Sequence, residues 1–182
     1  MAEKGIAYHY VCTHEEARFL IDNHKSFWVA NCGCRERKGK CQVSDHDVCL
    51  VFRGDIGSSG GGLRSITKGD AMKLLLRASE SNLVTRPFYN DLDRRKSDGI
   101  CFCCADCCEY FISQNEICDK GRYLEDTDMM HCNRCGICVD YCHFGARLMG
   151  PGDMLVVDRD KCYGCGLCLP SCPEGCIALA LR

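Results

Sequence analysis

Several features are missing from this sequence of 182 residues, and their absence narrows what the protein can be. No apolar run approaches the roughly 18 residues of a membrane-spanning helix. The opening residues, MAEKGIAYHYVC, lack the apolar stretch of a secretory signal peptide. Neither sign of charge dominates, because 25 Asp and Glu offset 23 Lys and Arg. We therefore expect a cytoplasmic protein without a membrane span and without nucleic acid as a partner.

Cysteine, in contrast, is abundant, with 20 residues in the chain. This density is typical of secreted disulfide scaffolds or of proteins that bind metals and clusters. Because a secretory signal is missing, we expect a reducing compartment, where clustered cysteines are more often metal ligands than disulfides. The cysteine content therefore predicts bound metal.

The last third of the chain contains an internal repeat with a period of 30 residues. HCNRCGICVDYCHFGARLM, from His131, aligns with KCYGCGLCLPSCPEGCIAL, from Lys161. Each unit has the spacing C-x2-C-x2-C-x3-C, which is typical of runs that bind 4Fe-4S clusters. Structural zinc sites usually use two separated pairs of ligands, so a tight triplet with one outlying cysteine argues against zinc here.

From about Gly121 to Arg182 the sequence resembles the bacterial-type ferredoxins that carry two 4Fe-4S clusters. The resemblance implies a pseudo-twofold pair of short hairpins and helical turns around the clusters. It also implies that each cluster takes its fourth ligand from the other repeat. One ligand set would be Cys132, Cys135, Cys138 and Cys172, and the other Cys162, Cys165, Cys168 and Cys142. Cys176 aligns with Ala146, so we expect it to fill a small buried position.

The remaining residues, 1–119, are expected to form a mainly helical, cysteine-rich region, which makes the whole chain α+β. THEEARFLIDNHKSFWVAN predicts an amphipathic helix of about four turns, capped by Thr13 and Glu16. Its apolar face would hold Ala17, Leu20, Ile21, His24 and Trp28, with His24 as a satisfied core histidine. SITKGDAMKLLLRASESNLV predicts a second helix that starts at Thr67 and Asp70. Its apolar stripe would hold Met72, Leu75, Leu76 and Ser79. The linker GDIGSSGGGLRS lacks the pattern of a phosphate-binding loop.

Two cysteine-rich loops lie within this region, and the first is NCGCRERKGKCQVSDHDVC. Its cysteines can wrap one metal centre, for which zinc is the alternative to an iron-sulfur cluster. They are Cys32, Cys34, Cys41 and Cys49. The basic residues between them are not interleaved with aromatic residues, so they are better explained as compensating a negatively charged centre or as facing water. They are Arg35, Arg37, Lys38 and Lys40.

The second loop, GICFCCADCCEYF, has five cysteines in eight positions. They are Cys101, Cys103, Cys104, Cys107 and Cys108, one more than a 4Fe-4S cluster needs. If Cys107 and Cys108 begin a helix in DCCEYFISQ, then Cys103 and Cys104 lie about one turn away, and the four thiolates share a pocket. Cys12 or the fifth cysteine could complete either loop's site, and the two loops could exchange ligands.

The order of these parts is similar to that of multi-cluster ferredoxin-type proteins of anaerobic microbes. That resemblance implies an electron-transfer protein that serves a larger oxidoreductase. The groups of cysteines predict domains at 1–119 and 120–182 and can serve up to four clusters. The alternative is a redox enzyme that acts on a disulfide, thiol or small molecule at an unusual cluster held by Cys101–Cys108. The C-C-G motifs of such enzymes are not matched, because Ala105 follows Cys104 and Glu109 follows Cys108. A cluster-based sensor is disfavoured by the lack of a DNA-binding helix pair. Donor, acceptor and oligomeric state stay open.

Overall fold

The structure, a computed structural model, describes residues 6–45, 47–55, 62–113 and 116–182. The middle of the glycine-rich linker, residues 56–61, lies outside the described residues. Within the described ranges, no helix has the length and apolar character that crossing a membrane requires.

The N-terminal part is organised around a sheet of seven strands. The strands are β1 (His9–Tyr10), β2 (Phe27–Ala30), β3 (Cys49–Val51), β4 (Arg64–Ile66), β5 (Val84–Tyr89), β6 (Ser97–Cys103) and β7 (Cys118–Asp119). Their order across the sheet is β4-β2-β3-β6-β5-β1-β7. Neighbouring strands are antiparallel except for β1 and β7, which are parallel.

Helices flank this sheet at α1 (His14–Asn23), α2 (Gly33–Lys38), α3 (Lys68–Glu80) and α4 (Glu109–Ser113). The first and third pack together and against the sheet. Their inward side chains are small or apolar, namely Ala17, Ile21, Ala71, Leu74, Leu75 and Ala78. These residues form one core with Leu50, Ile100 and Phe102 of the sheet. Burial of this apolar surface is the main force that holds helices and sheet together.

The expectation of a mainly helical N-terminal region is wrong, because a sheet lies at its centre. Its strands are short and several are buried without alternation; β5 is buried at five successive positions from Val84 to Phe88. A short strand that is buried on both faces has no alternation of polar and apolar residues, so periodicity does not identify it. In β6, Cys101 and Cys103 occupy strand positions, although their spacing in the sequence predicts only that they are ligands.

The first predicted helix is correct in its start and wrong in its length. Thr13 and Glu16 form the predicted capping box, but α1 ends at Asn23 and Trp28 lies in β2 instead of on a helical face. The segment FWVA consists mostly of aromatic and β-branched residues, which favour strands. His24 is satisfied as predicted, since its ring stacks on Phe52 at 3.8 Å and contacts the Leu20 carbonyl at 2.7 Å.

The second predicted helix exists, but its buried face is displaced from the predicted stripe. The buried residues are Ala71, Leu74, Leu75 and Ala78, whereas Leu76 is 59% exposed. Alanines at two of these positions allow α1 to approach closely, so the helix turns its small residues inward.

Replacing Thr67 with Ala should destabilise the protein by about 1 kcal/mol. The Thr67 hydroxyl accepts a hydrogen bond from the Asp70 amide at 3.1 Å, and the Asp70 carboxylate accepts one from the Thr67 amide at 3.3 Å. Anaerobic thermal unfolding measures the change. The control is Thr67→Ser, which keeps the hydroxyl and should retain most of the stability; an alanine variant as stable as the parent protein would contradict the prediction.

The C-terminal part contains two pairs of antiparallel strands. Its elements are β8 (Tyr123–Thr127), α5 (Ile137–Asp140), β9 (Arg147–Gly150), β10 (Met154–Val157) and β11 (Ile177–Leu181). Strand β9 pairs with β10 between the two cysteine repeats, whereas β8 pairs with β11 and so joins the two ends of this part. The repeats are therefore enclosed between the two strand pairs.

Candidate metal centres

Two cavities in the C-terminal part are lined by the repeated cysteines. One, the first cavity, is lined by Cys132, Cys135, Cys138 and Cys172. The other, the second cavity, is lined by Cys162, Cys165, Cys168 and Cys142. Each cavity thus combines three cysteines of one repeat with the outlying cysteine of the other. The structure groups the residues in the two sets that crossed ligation requires, and their binding of metal stays a prediction.

Burial makes the second cavity unfavourable for free thiolates. It raises the pKa of Cys165 to about 12 and that of Cys168 to about 11, because a thiolate loses its hydration there. A bound metal removes this barrier, since coordination deprotonates a thiol. The donor set and its environment therefore fit a thiolate-bound cluster.

Cys176 lines the first cavity as a fifth thiol. It is buried, as expected, and its sulfur lies 3.4 Å from that of Cys172. The repeat alignment does not indicate this proximity, because Cys176 replaces an alanine of the first repeat. A ligand search by spacing therefore misses a thiol that the fold brings to the site.

The backbone of the second repeat needs glycine at one position beside a ligand. Gly164 has φ of +73°, and a Cβ there would lie 2.2 Å from the Tyr123 carbonyl oxygen in β8. The aligned residue of the first repeat is Arg134, with φ of +59°. Both repeats therefore have the left-handed backbone conformation at this position, but in the second repeat a side chain would collide with the backbone of β8, so Gly164 is required there.

Replacing Gly164 with Ala should reduce cluster binding in the second cavity by forcing β8 away from Cys165. The matched control is Gly136→Ala, where φ is +78° but the new Cβ would meet the flexible Met149 sulfur at 3.4 Å. Both substitutions place alanine at a positive φ, so the difference in cluster loss between the two variants measures the effect of the clash alone. Iron content and the visible absorption of anaerobically purified protein measure the loss, and equal losses in both variants would contradict the explanation.

A buried ion pair lies between the two cavities, because Glu125 lines the second cavity and Arg147 contacts Cys138 of the first. Arg147 and Glu125 have side chains that are 1% and 2% exposed, and their closest atoms are 2.6 Å apart. The same guanidinium donates to the Cys138 sulfur at 3.4 Å and to the Thr127 hydroxyl at 2.8 Å. Arg147 thus brings a positive charge to a group of thiolates, which stabilises negative charge on them.

The nine cysteines of the two N-terminal loops form two groups in the structure, and each group contains cysteines of both loops. Six of them form one connected series of side-chain contacts, here called the six-cysteine group. In order of contact they are Cys101, Cys49, Cys32, Cys34, Cys108 and Cys103. The other three, Cys41, Cys104 and Cys107, form the three-cysteine group, with sulfurs 3.2 to 3.6 Å apart.

Of the two arrangements left open by the sequence, the structure groups the cysteines as exchange between the loops would require, and their binding of metal stays a prediction. Cys41 leaves the first loop's set and joins two cysteines of the second loop. This grouping corrects the expected pocket of four thiolates, because Cys103 and Cys108 contact each other, whereas Cys104 contacts Cys107. Neighbours in sequence therefore serve different groups.

The sheet and one helical turn explain the sorting. Cys49 of β3 lies directly opposite Cys101 of β6 in the antiparallel register, and Cys103 follows on the same face of β6 because side chains alternate along a strand. The Cys108 amide then bonds to the Cys104 carbonyl at 3.2 Å, which starts the turn before α4. This turn points Cys104 and Cys107 away from Cys103.

Two buried arginines accompany these groups. Arg35, with no exposed surface, donates to Cys41 at 3.4 Å and to Cys104 at 3.7 Å. Arg86, which is 2% exposed, lies 3.5 Å from Cys108 and 3.8 Å from Cys103, and pairs with Glu116. The prediction that basic residues compensate a negative centre fits Arg35; Arg86 was not identified from the sequence.

His9 is a further neighbour of the six-cysteine group that the sequence argument missed. Its Nε2 lies 3.7 Å from the Cys101 sulfur, and its other ring nitrogen pairs with Glu116. Burial lowers the pKa of His9, but the bonds to Cys101 and Glu116 outweigh it and raise the pKa to about 9. A second positive charge therefore faces this group at neutral pH.

Aromatic side chains connect the six-cysteine group with the second cavity. Phe144 and Tyr163 line that cavity and stack with ring centroids 4.3 Å apart. Tyr110 contacts both rings at 6.3 and 6.4 Å, and the Arg86 guanidinium carbon lies 4.1 Å from its centroid. We call Tyr110, Phe144 and Tyr163 the aromatic bridge. It makes a continuous packed connection between two groups of thiols.

Comparison with known families identifies the C-terminal part. Residues 131–176 match the family model of the 4Fe-4S dicluster domain. This part of the chain is therefore a ferredoxin-type 4Fe-4S domain, and both cavities lie within or beside the matched residues. The comparison with curated proteins found no match.

Proposed function

We propose that this protein carries single electrons through several 4Fe-4S clusters to or from a larger oxidoreductase. The matched dicluster domain supports this proposal. When bound, such clusters supply reversible electron uptake and release, with potentials set by charge, hydrogen bonds and exposure. The two crossed cysteine sets of the C-terminal cavities would hold two of them.

A further cluster is proposed in the six-cysteine group. Its thiols outnumber the four that a cluster needs, and Arg86 and His9 supply positive charge beside them. A group of buried thiolates without a cation would be strongly unfavourable. On this proposal residues 1–119 and 120–182 are two domains that share one electron path, with β7 ending the first at Asp119.

The aromatic bridge is the observation that carries the proposal. Electron carriers need short, well-packed connections between successive redox centres, and the bridge joins the second cavity to Arg86 by direct contacts. The bridge packs in one apolar cluster with Cys103 and Cys108 of the six-cysteine group. These contacts between the two domains support a chain of redox centres that runs through both.

Burial of the clustered cysteines favours a carrier over an enzyme. Within the six-cysteine group, Cys49, Cys103 and Cys108 are buried, and Cys32, Cys34 and Cys101 are only partly exposed. A catalytic site for a disulfide or thiol requires a sulfur or iron that the substrate can reach. Because these sulfurs are largely covered, we infer outer-sphere electron transfer to a partner protein instead of direct reaction with a bound substrate.

The proposed partner is a larger redox enzyme, or separate donor and acceptor proteins, in a reducing cytoplasm. All 20 cysteines are free thiols in the structure. Surrounding reductant would keep them available as ligands, because thiolates rather than disulfides bind metal. Exposure to oxygen would oppose this, so the protein should be handled anaerobically.

The test uses the full chain, purified without oxygen and reduced with dithionite. Oxidised cytochrome c, mixed by stopped flow, should reoxidise it with one electron transferred per cluster and no further turnover. Replacing Tyr110 with Leu should slow electron redistribution between the C-terminal clusters and the N-terminal centre. Phe19→Leu, at a 68% exposed position of α1, is the control and should leave the rate unchanged.

Sustained reduction of a small aromatic disulfide with reduced viologen as donor would overturn the proposal in favour of an enzyme. A Tyr110 variant with unchanged transfer rates would instead show that the aromatic bridge is not the path. Paramagnetic resonance of the same samples reports which clusters are reduced, so the two results are distinguishable.

A further inference from the structure

The three-cysteine group has a geometry different from that of the C-terminal cavities. The Cys41 sulfur lies 3.6 Å from that of Cys104 and 3.4 Å from that of Cys107, and the last two are 3.2 Å apart. In the described part of the chain, this is the group of three metal-ligating side chains whose donor atoms all lie within 4.8 Å of one another. The eight cysteines of the two cavities do not converge in this way.

These separations are short enough for three ligands of one metal ion and slightly shorter than a bound zinc ion would set. A Zn–S bond is about 2.3 Å, so two sulfurs at corners of a zinc tetrahedron are about 3.8 Å apart. In a 4Fe-4S cluster each cysteine binds a different iron, and the body of the cluster keeps the sulfurs farther apart. The three sulfurs are therefore placed for a mononuclear site.

Arg35 provides a second, independent indication of a bound ion and its ligands. It is completely buried, and its Nε and Nη2 donate to the two sulfurs of Cys41 and Cys104. Its Nη1 is buried without a hydrogen-bond partner among the described residues. A buried guanidinium needs a compensating anion. Three thiolates with one divalent ion carry one net negative charge, which balances Arg35.

Hydrogen bonds beside the three-cysteine group already hold the loop that carries Cys41 against the turn that carries Cys104 and Cys107. Asp106, between Cys104 and Cys107, pairs with Lys38 at 2.6 Å and accepts a bond from the Gln42 amide at 3.0 Å.

We propose that Cys41, Cys104 and Cys107 bind one zinc ion, separate from the iron-sulfur clusters. The ion would tie the loop after α2 to the turn before α4, across 63 residues of chain. Thiolates suit zinc, which imposes no geometry of its own and binds more tightly than iron(II). The site would hold in place the two segments that carry the six-cysteine group. It does not depend on the electron-transfer proposal.

The experiment uses the full chain as purified anaerobically, with the metal it acquires from a medium containing both zinc and iron. Elemental analysis should find about one zinc per chain in addition to iron. X-ray absorption at the zinc edge should show about three sulfurs near 2.3 Å and one lighter ligand. Scattering from a neighbouring metal ion should be missing.

Adjacent cysteines supply the matched variants. Cys107→Ser should lower zinc content roughly ten-fold or more while leaving the iron content unchanged. Cys108→Ser, one residue away but in the six-cysteine group, should lower iron and retain zinc. Cys104→Ser and Cys103→Ser form a second pair with the same expectation.

Three results would overturn the proposal. The first is parent protein without zinc whose iron content falls in the Cys107 variant. The second is zinc retained equally by all four variants, which would show an adventitious ion only. The third is metal–metal scattering at the zinc edge. The absorption measurement on the parent protein needs no variant, so the proposal stays testable if a substitution prevents folding.

Discussion

Cys142→Ser should remove the cluster of the second cavity and leave that of the first cavity bound. The affected cavity is lined by Cys162, Cys165 and Cys168 together with Cys142, although Cys142 belongs to the first repeat by sequence. Losing one of four thiolates weakens a cluster site severely, because one iron then lacks its cysteine ligand. Iron analysis should show a loss of about four irons per chain.

Paramagnetic resonance of the reduced protein separates the two clusters. The parent protein should show two interacting reduced clusters, and the Cys142 variant one cluster without that interaction. Cys172→Ser should give the reverse loss, since Cys172 lines the first cavity. Cys176→Ser is the control within that cavity and should retain both clusters. Loss confined to the first cluster in the Cys142 variant would disprove crossed ligation.

Arg147→Met should lower the reduction potentials of the clusters beside Cys138 and Cys168 by on the order of 100 mV. The guanidinium lies 3.4 Å from the Cys138 sulfur, and a unit charge at about 4 Å contributes about 4 kcal/mol at an effective dielectric constant of about 20. Reduction adds negative charge, so removing the cation disfavours the reduced state. A redox titration followed by paramagnetic resonance measures the shift.

The same substitution should also destabilise the fold by about 3 kcal/mol, because it leaves Glu125 as a buried carboxylate with a single cationic partner, Arg159. The double variant Arg147→Met with Glu125→Gln removes both charges and should recover much of the stability. Arg147→Lys keeps the charge and should keep most of the potential. Unchanged potentials in the methionine variant would show that this guanidinium does not act on the clusters.

Local features of the fold were predictable, whereas their tertiary environment was not. Both capping boxes, at Thr13 and Thr67, involve residues three positions apart, so the sequence contains everything they need. The inward face of α3 depends on how closely α1 packs, and alanine rather than leucine faces inward at Ala71 and Ala78. The strands were missed because their runs are short and buried without alternation.

The metal sites show the same division between features that local sequence sets and features that the tertiary structure sets. A triplet of cysteines within seven residues, such as Cys132 to Cys138, is confined by the chain itself, so its spacing alone indicated a cluster and the family match agrees. The partners of Arg86 and Arg147 lie on other elements, and no spacing rule relates them. Buried charge beside the thiols therefore became visible only with the fold.

By itself, the sequence determined that the C-terminal part is a ferredoxin-type 4Fe-4S domain, because its ligand residues repeat at short, identical spacings. Only the tertiary structure decided how the nine N-terminal cysteines are sorted. The register that places Cys49 opposite Cys101 joins strands more than 50 residues apart. The turn that separates Cys107 from Cys108 is local, but its place beside Cys41 is set by the fold. Such contacts depend on sheet pairing and burial across the whole domain, which local spacing does not encode.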